Sequence, residues 1–284
     1  YGAAVLAQQE NTGRLRVLKI SHRGRASDEP LFVREQELNN RAQDGDVPPA
    51  ELFRNAGTGQ MALCMEPVFS APGGQTLALS LSEIVSAQLE DRLAQLPQQY
   101  QISPESLPYW NRAIDSELER LHRLGINHND IHLDNILMTV DEQGKPVAKL
   151  IDFGLSSTNT DKIHPIGATL YQSYEKLSGR EFDPKDSDRY AARVVKAFLY
   201  GAAHGEKSTV EIQVPGGKVV PFPATAAAVI KAELKEFVAP KEKPAPPKPL
   251  SARHLQLLCE AKYASLWATP TPAPVRRDVA NVGR

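Results

Sequence analysis

The sequence predicts an α+β fold, with strands in a small N-terminal part and helices in the larger part that follows. Residues 1–7 and 17–20 are strand-like segments separated by a turn, where Gly13 can supply the positive φ angle that such a turn needs. Residues 61–65 form another short apolar strand, and Pro67 stops it because proline lacks an amide donor. Apolar residues recur at helical spacing in the chain beyond. These patterns predict a β-rich part followed by a mainly helical part.

The remaining elements follow in chain order. Residues 79–96 predict a helix, residues 97–108 a loop, and residues 108–125 a longer helix ending at Gly125, a common residue after a helix C-terminus. Further elements are predicted in the C-terminal third of the chain: a β-hairpin at 209–222, a helix at 224–238, a proline-rich linker at 239–250, an amphipathic helix at 251–267 and a disordered tail at 268–284.

The composition excludes several classes of protein. The formal net charge of −1 argues against a general nucleic-acid binder, which would need a basic face. No apolar run approaches the ~18–20 residues that would span a bilayer. The two cysteines, Cys64 and Cys259, lie far apart in apolar surroundings, which predicts buried free thiols in a reducing compartment. We therefore expect a cytoplasmic protein, in the cytoplasm of a host if it is a secreted effector.

The most informative segment runs from His128 to Gly154. It places an acid at Asp130, an amide five residues later at Asn135 and a second acid at Asp152. Asp130 can orient a hydroxyl group and accept its proton, while Asn135 and Asp152 offer hard oxygen ligands for magnesium. Phosphoryl transfer from a magnesium nucleotide needs this set of groups at this spacing.

These residues resemble the catalytic loop and the Asp-Phe-Gly motif of the protein kinase family. The resemblance implies a two-lobed kinase-like fold, with a small β-rich N-lobe at residues 1–66 and a mainly helical C-lobe at residues 67–267. The hairpin at 209–222 would then be an insertion. The chain starts at Tyr1 without a methionine, so the remaining glycines of the nucleotide-covering loop are expected upstream of it.

The resemblance also implies further residues for binding ATP and Mg²⁺. The spacing from Gly2 matches Lys19 to the lysine that meets the α and β phosphates. Its ion-pair partner would be Glu35 or, if the helix register differs, Glu37. Gly2 belongs to the nucleotide-covering loop, and Ala4 stands where the family usually has a valine on the adenine. The backbone from Glu66 onward would face the adenine edge.

Two motifs of the C-lobe resemble those of protein kinases. Residues 167–175 resemble the end of an activation segment, with Glu175 as the glutamate that pairs with a distant arginine. Asp188 resembles the buried acid that binds the backbone of the catalytic loop. An ordinary helix N-cap is the alternative for Asp188.

Two departures from the family bear on regulation and substrate. Asn129 follows His128 where kinases that need activation-loop phosphorylation carry an arginine, so a phosphate on Ser156 or Thr158 would find no partner cation in the loop. We therefore expect activity without such phosphorylation. His132 replaces the usual lysine of serine/threonine kinases, as in the phosphotransferases related to aminoglycoside and choline kinases.

The sequence supports three hypotheses on function. The first is a serine/threonine protein kinase of divergent, effector-like type that acts on an unidentified protein substrate. The second is a small-molecule phosphotransferase, and the third is a kinase-fold scaffold or nucleotidyltransferase. An activating partner, or a partner that binds the P-x-x-P spacing of Pro244 and Pro247, would also be compatible with the sequence.

Overall fold

The fold is taken from a computed structural model that describes residues 2–21, 29–43, 47–90, 92–158, 171–177, 181–213, 219–233 and 248–249. Its first part is a four-stranded antiparallel sheet in the order β1-β2-β4-β3. The strands are β1 (Gly2–Gln8), β2 (Leu15–Ser21), β3 (Glu51–Arg54) and β4 (Met61–Met65). The helix α1 (Glu29–Ala42) follows β2 in the chain. Gly13 in the turn between β1 and β2 has φ 69°, as its conformational freedom predicts.

The helix α1 joins the two parts of the molecule. Phe32, in its first half, packs in a small core with Met61 and Leu63 of the sheet and with Ala50, which precedes β3. Leu38 and Ala42, in its second half, belong instead to the large core of the helical part. The position of α1 therefore depends on both cores.

The second part is mainly helical and contains the larger core. Its helices are α2 (Leu81–Leu89), α3 (Leu107–Arg123), α4 (Tyr174–Leu177), α5 (Pro184–Ala203) and α6 (Ala224–Glu233). The inward face of α3, with the buried Trp110, Ile114 and Leu121, packs against the apolar face of α5. Burying these large side chains is the main source of the stability of this part.

Short strands position the segment that carries the candidate acids. They are β5 (Leu79–Ser80), β6 (Ile126–Asn127), β7 (Ile136–Val140), β8 (Pro146–Leu150) and β9 (Ser157–Thr158). After α3, Gly125 (φ 69°) turns the chain into β6, and β6 pairs with β9. The strands β7 and β8 form an antiparallel hairpin. Residues 128–135 and 151–156 are thus two loops held between paired strands.

The predicted helix over residues 79–96 is too long. Leu79 and Ser80 pair with β7, and α2 covers only Leu81–Leu89. Ser80 is the N-cap, because its side chain accepts from the Glu83 amide and the Glu83 side chain accepts from the Ser80 amide. A separate 3₁₀ turn at Leu93–Gln95 follows.

Beyond α5 the chain forms a β-hairpin of β10 (Ser208–Gln213) and β11 (Val219–Pro223), at the position of the predicted one. The short strand β12 (Lys248–Pro249) pairs with β10. Most of the predicted linker at 239–250, the predicted helix at 251–267, Cys259 and the predicted tail at 268–284 lie outside the described residues. Within the described part of the chain, no helix is long and apolar enough to span a membrane.

Candidate active site

Lys19 joins the sheet, α1 and the segment after β8. Its Nζ lies 2.6 Å from Oε1 of Glu35 and 2.7 Å from Oδ1 of Asp152. Lys19, on β2, and Glu35, on the inward face of α1, are both buried. Glu37, the rival candidate, points to solvent on the outer face of the helix. The structure thus brings together Lys19, Glu35 and Asp152, and it leaves Glu37 apart.

The ion pairs outweigh the effect of burial at Lys19 and Asp152 but not at Glu35, where burial raises the pKa of the carboxyl group despite Lys19. Burial disfavours an ammonium ion, but the carboxylates of Asp152 and Glu35 outweigh that effect and raise the pKa of Lys19 above its ordinary value. Burial also works against the ionised form of Asp152, but Lys19 outweighs it and lowers the pKa of this carboxyl group. Lys19 and Asp152 are therefore charged at neutral pH, so the site has a fixed cation beside a fixed anion.

Asp130 and Asn135 lie in the loop of residues 128–135, the candidate catalytic loop. The Nδ2 of Asn135 donates to the backbone oxygen of Asp130 over 2.9 Å and lies 3.4 Å from its Oδ2. The backbone oxygen of Asn135 accepts from the amide of Ile151 over 3.0 Å. Since Ile151 immediately precedes Asp152, this bond links the candidate catalytic loop to the segment that contacts Lys19.

The arrangement fits a magnesium ion bound with a nucleotide. The Asn135 amide nitrogen is turned toward Asp130, so its oxygen is the atom left for a cation. On Asp152, Oδ1 accepts from Lys19 and from the Gly154 amide, and the second carboxylate oxygen is the one suited to a metal. No group of three or more His, Cys, Asp or Glu suited to a metal occurs among the described residues. Two protein oxygens completed by phosphates and water are typical of magnesium sites with phosphate ligands.

Asp188 holds the backbone of the candidate catalytic loop. Its carboxylate accepts from the amides of His128 (2.7 Å) and Asn129 (2.8 Å) and lies 3.1 Å from Nε2 of His122. The side chain is only 1% exposed. Asp188 is not the N-cap of α5, because Asp183 holds that position and accepts from the Lys185 amide. These contacts are those predicted for a buried acid that binds the backbone of the catalytic loop, and not those of an ordinary helix N-cap.

Lys176 is a site neighbour that sequence reasoning missed. It is fully buried, and its Nζ donates to the backbone oxygen of Asn129 over 3.0 Å. Burial lowers the pKa of this lysine, while Asp188 and Asp130 oppose the shift. The backbone of Asn129 is thus bound at its N–H by Asp188 and at its C=O by Lys176. No signal in the sequence distinguishes Lys176 from a solvated lysine.

The side chain of Asn129 forms contacts within the loop region and is not placed to bind a phosphate group. Its Nδ2 lies within hydrogen-bond distance of the backbone oxygens of Asn127 and Leu155 and of Oγ of Ser157. Ser156 is buried and donates from Oγ to the backbone oxygen of His128. Phosphorylation of Ser156 would therefore require this contact to open. Residues 159–170, including Thr160, lie outside the described residues.

Two histidines of the loop differ in charge. Burial lowers the pKa of His128, whose ring faces the Ile151 oxygen at 3.0 Å and contacts Phe153. For His132 burial works in the same direction, but the carboxylates of Asp130 (3.6 Å) and Asp134 (3.3 Å) outweigh it and raise its pKa to about 9. His132 therefore carries a positive charge beside Asp130 at neutral pH, and its Nδ1 then donates to the Asp134 carboxylate. In the neutral ring the same nitrogen accepts from the Asp134 amide.

The predicted nucleotide-covering residues lie at the edge of the site. Gly2 pairs with Ser21 and Ala4 with Lys19 across β1 and β2, and Ala4 is exposed. Glu66 directly follows β4, at the junction between the two parts, and its carboxylate forms an ion pair with Arg16. Ala4 thus lies directly opposite Lys19 in the sheet. The ion pair of Glu66 with Arg16 attaches the start of the junction to β2.

The comparison with known protein families matches residues 1–206 to the protein kinase domain. This segment is well over half of the chain. The chain belongs to the protein kinase family.

Individual relatives are similar over shorter segments. The serine/threonine-protein kinase PknE of Mycobacterium tuberculosis (strain ATCC 25618 / H37Rv) is 34% identical over 93 residues, which cover 31% of this chain and 16% of PknE. The calcium and calcium/calmodulin-dependent serine/threonine-protein kinase of Oryza sativa subsp. japonica is 38% identical over 92 residues, which cover 31% of this chain and 17% of that protein. The matches span about a sixth of the length of these relatives.

A solved kinase structure has the same fold. The crystal structure of the kinase domain of PF14_0431 aligns with a TM-score of 0.53 and 19% identity, covering 71% of this chain and 61% of that chain. At this identity the likeness concerns the fold alone. Together with the family match, it confirms the predicted α+β, two-lobed kinase-like fold.

The last part of the described chain lies beyond the matched kinase segment. Ile212 and Phe222 of the hairpin and Ala226 and Ile230 of α6 are nevertheless buried in the same large core as α5. The ring of Phe222 contacts that of Phe198 on α5, with 5.7 Å between centroids. The hairpin and α6 therefore form part of the helical lobe of this kinase.

Proposed function

We propose that this protein is a serine/threonine protein kinase that transfers the γ-phosphate of Mg-ATP to a hydroxyl group of a protein substrate. The observation that carries the proposal is the contact of Lys19 with both Glu35 and Asp152, next to the loop in which Asn135 binds Asp130. Kinase activity requires the strand lysine to meet the helix glutamate while the magnesium-binding aspartate is in place.

Each residue of the site then has a distinct role. Lys19 binds the α and β phosphates, and Glu35 orients it. Magnesium, when bound, neutralises the charge of the phosphates, and Asn135 and Asp152 supply oxygen ligands to it. Asp130 orients the acceptor hydroxyl and accepts its proton. Positioning and charge neutralisation account for most of the rate enhancement in this mechanism.

The nucleotide base is proposed to lie between the sheet and the junction of the lobes. The start of β1, with Gly2 and Ala4, covers the phosphate and adenine side, and the backbone from Glu66 onward faces the adenine edge. The exposed Ala4 offers less apolar contact than a larger side chain would. We therefore expect the phosphate contacts to supply a large share of the nucleotide affinity.

Selectivity for serine or threonine is supported by the residues after Asp130. His132 and Asp134 stand two and four residues beyond it, where tyrosine kinases carry an arginine. The two relatives named above are both serine/threonine kinases, although each matches over a short segment. The acceptor residue is therefore proposed to be serine or threonine.

Intact-mass spectrometry tests the proposed reaction. The protein is incubated with Mg-ATP and a general acceptor such as casein, alongside an Asp152→Asn variant and a matched Asp186→Asn control at an exposed position. We expect a phosphate-sized mass gain on serine or threonine that Asp152→Asn abolishes and Asp186→Asn retains. A gain that persists in Asp152→Asn would contradict the assignment of the site. A nucleotide-sized gain would replace phosphoryl transfer with nucleotide transfer.

One observation favours a second function. His132 lies 3.6 Å from Asp130 and is protonated at neutral pH, as a residue that contacts the phosphate being transferred would be. The alternative is therefore a small-molecule phosphotransferase acting on an alcohol or amine. Phosphorylation of a panel of aminoglycosides and choline, with no transfer to any protein, would favour this alternative.

A further inference from the structure

Glu117 and Arg120, one turn apart on α3, form a closely paired unit at the junction of the two lobes. Nε and Nη2 of Arg120 lie 2.7 and 3.0 Å from the two carboxylate oxygens of Glu117. The Glu117 side chain is almost fully buried. This bidentate geometry fixes the guanidinium plane, so the remaining donors of Arg120 point in a set direction.

The third contact of Arg120 is with the helix that carries Glu35. Its Nη1 donates to the backbone oxygen of Ala42, the last residue of α1, over 2.7 Å. The last turn of a helix leaves carbonyl groups without intrahelical donors, and a cation at this end is favourable toward the helix dipole. Arg120 therefore binds the C-terminus of α1 to the helical lobe.

Glu117 makes the complementary contact with the strand that leads to Asp152. Its Oε1 accepts from the backbone amide of Leu150, the last residue of β8, over 3.3 Å. Leu150 stands two residues before Asp152. The pair thus contacts α1, which carries Glu35, and the end of β8, which lies two residues before Asp152.

We propose that Arg120 is a positioning residue. With Glu117, it holds the end of α1 against the end of β8, so that Glu35 and Asp152 both contact Lys19 through interactions within this chain. The inference rests on the proposed function for its effect on catalysis. The packing of Leu38 and Ala42 in the core of the helical lobe supports it, because that half of α1 moves with the lobe that carries Arg120. On this basis α1 is held in its Lys19-binding position without an activating partner.

The variant Arg120→Met tests the proposal, because it keeps the apolar stem and removes the contacts with Glu117 and with the Ala42 carbonyl. Arg123→Met is the matched control, since Arg123 lies on the same helix, is 71% exposed and meets Glu119 only at 3.9 Å. Amide hydrogen exchange over the second half of α1 is expected to rise about tenfold in Arg120→Met, as the loss of a hydrogen bond to a charged group implies. The control is expected to leave the exchange unchanged.

Nucleotide affinity supplies a second readout that a merely structural role would not reproduce. Arg120→Met is expected to weaken Mg-ATP binding about tenfold in the wild-type background and to have little effect in a Lys19→Met background, because the contact acts through Lys19. Arg120→Lys should recover part of the affinity, since a lysine can still bind the Ala42 carbonyl but cannot pair with Glu117 through two bonds.

The outcomes separate this proposal from the proposed function. Unchanged exchange in α1, or equal effects of Arg120→Met in the two backgrounds, would overturn the positioning role. If the wild-type protein does not bind Mg-ATP, the proposed function fails, and the hydrogen-exchange comparison still decides whether Arg120 holds α1. Should Arg120→Met not fold, Arg120→Lys and Glu117→Gln are compared in the same assays, and wild-type exchange in both would again overturn the proposal.

Discussion

Replacing Asp188 with asparagine should destabilise the protein far more than removing the neighbouring helix cap. The buried carboxylate accepts the amides of His128 and Asn129 through different oxygens, and His122 lies 3.1 Å from one of them. Asparagine keeps one acceptor but places an amide group opposite one of the backbone N–H donors. A hydrogen bond to a charged group contributes about 1.5–3 kcal/mol, and a buried donor left without a partner costs about 1–3 kcal/mol more.

We therefore expect Asp188→Asn to lower the free energy of unfolding by about 3 kcal/mol, out of a total of about 5–15 kcal/mol. The matched control is Asp183→Ala, which removes the N-cap of the same helix and should cost about 1 kcal/mol. Urea denaturation followed by circular dichroism measures both. With a slope of about 3 kcal/mol per M, the midpoint should fall by about 1 M for Asp188→Asn. A loss for Asp188→Asn no larger than that for Asp183→Ala would refute this account of Asp188.

Three further predictions follow from other contacts. Lys176→Met, which removes a buried donor to the candidate catalytic loop, should lower kcat at least about tenfold and leave nucleotide affinity nearly unchanged, whereas the exposed Lys145→Met should change neither in steady-state assays. Because the pKa of His132 is raised to about 9, its contribution to the free energy of unfolding is complete below about pH 6.5 and is lost as pH rises through about 9. His132→Gln should therefore flatten the alkaline decline in denaturation midpoints, and an unchanged decline would contradict this. Leu63→Ala, at a fully buried position in the small core, should cost about 2–5 kcal/mol. Phe53→Ala, at a side chain that is 50% exposed, should cost only about 1 kcal/mol, and similar thermal midpoints for the two variants would contradict this.

The residues closest together in sequence were the most predictable. Asp130 and Asn135 are separated by one short loop, and the spacing that their chemistry requires is visible without knowledge of the fold. The helix α3 was predictable for a similar reason, since its apolar residues follow one period over four turns and Gly125 ends it. Local chemistry and periodicity were sufficient in both cases.

The register of α1 could not be decided from the sequence. Glu35 and Glu37 are both plausible partners of Lys19 when the length of the preceding connection is uncertain, and only the burial of one helix face separates them. The length of α2 was also predicted wrongly, although a local signal was available. Ser80 and Glu83 have the spacing of a capping box, which sets the start of the helix at the next residue.

The charged residues that support the loop were harder to predict because their partners are distant in the chain. Asp188 binds amides 59 and 60 residues away, Lys176 binds a carbonyl 47 residues away, and Arg120 binds a carbonyl 78 residues away. A charged residue on a helix is usually solvated, so the sequence alone favours the surface for Lys176 and Arg120. For Asp188 only the resemblance to protein kinases indicated a buried acid, with an ordinary N-cap as the alternative. Their role depends on which backbone groups the fold brings to them.

These supports also explain how the site can keep an unfavourable backbone geometry. Asn129 and Asp152 are the two residues other than glycine with positive φ among those described, at 64° and 67°. Such conformations cost about 1–3 kcal/mol each and persist only where the surroundings hold them. Asn129 is bound at its N–H by Asp188 and at its C=O by Lys176, and Asp152 is bound by Lys19. The buried charges therefore offset the strain of the two loops, and Asp152, the proposed magnesium ligand, is held in place before the nucleotide arrives.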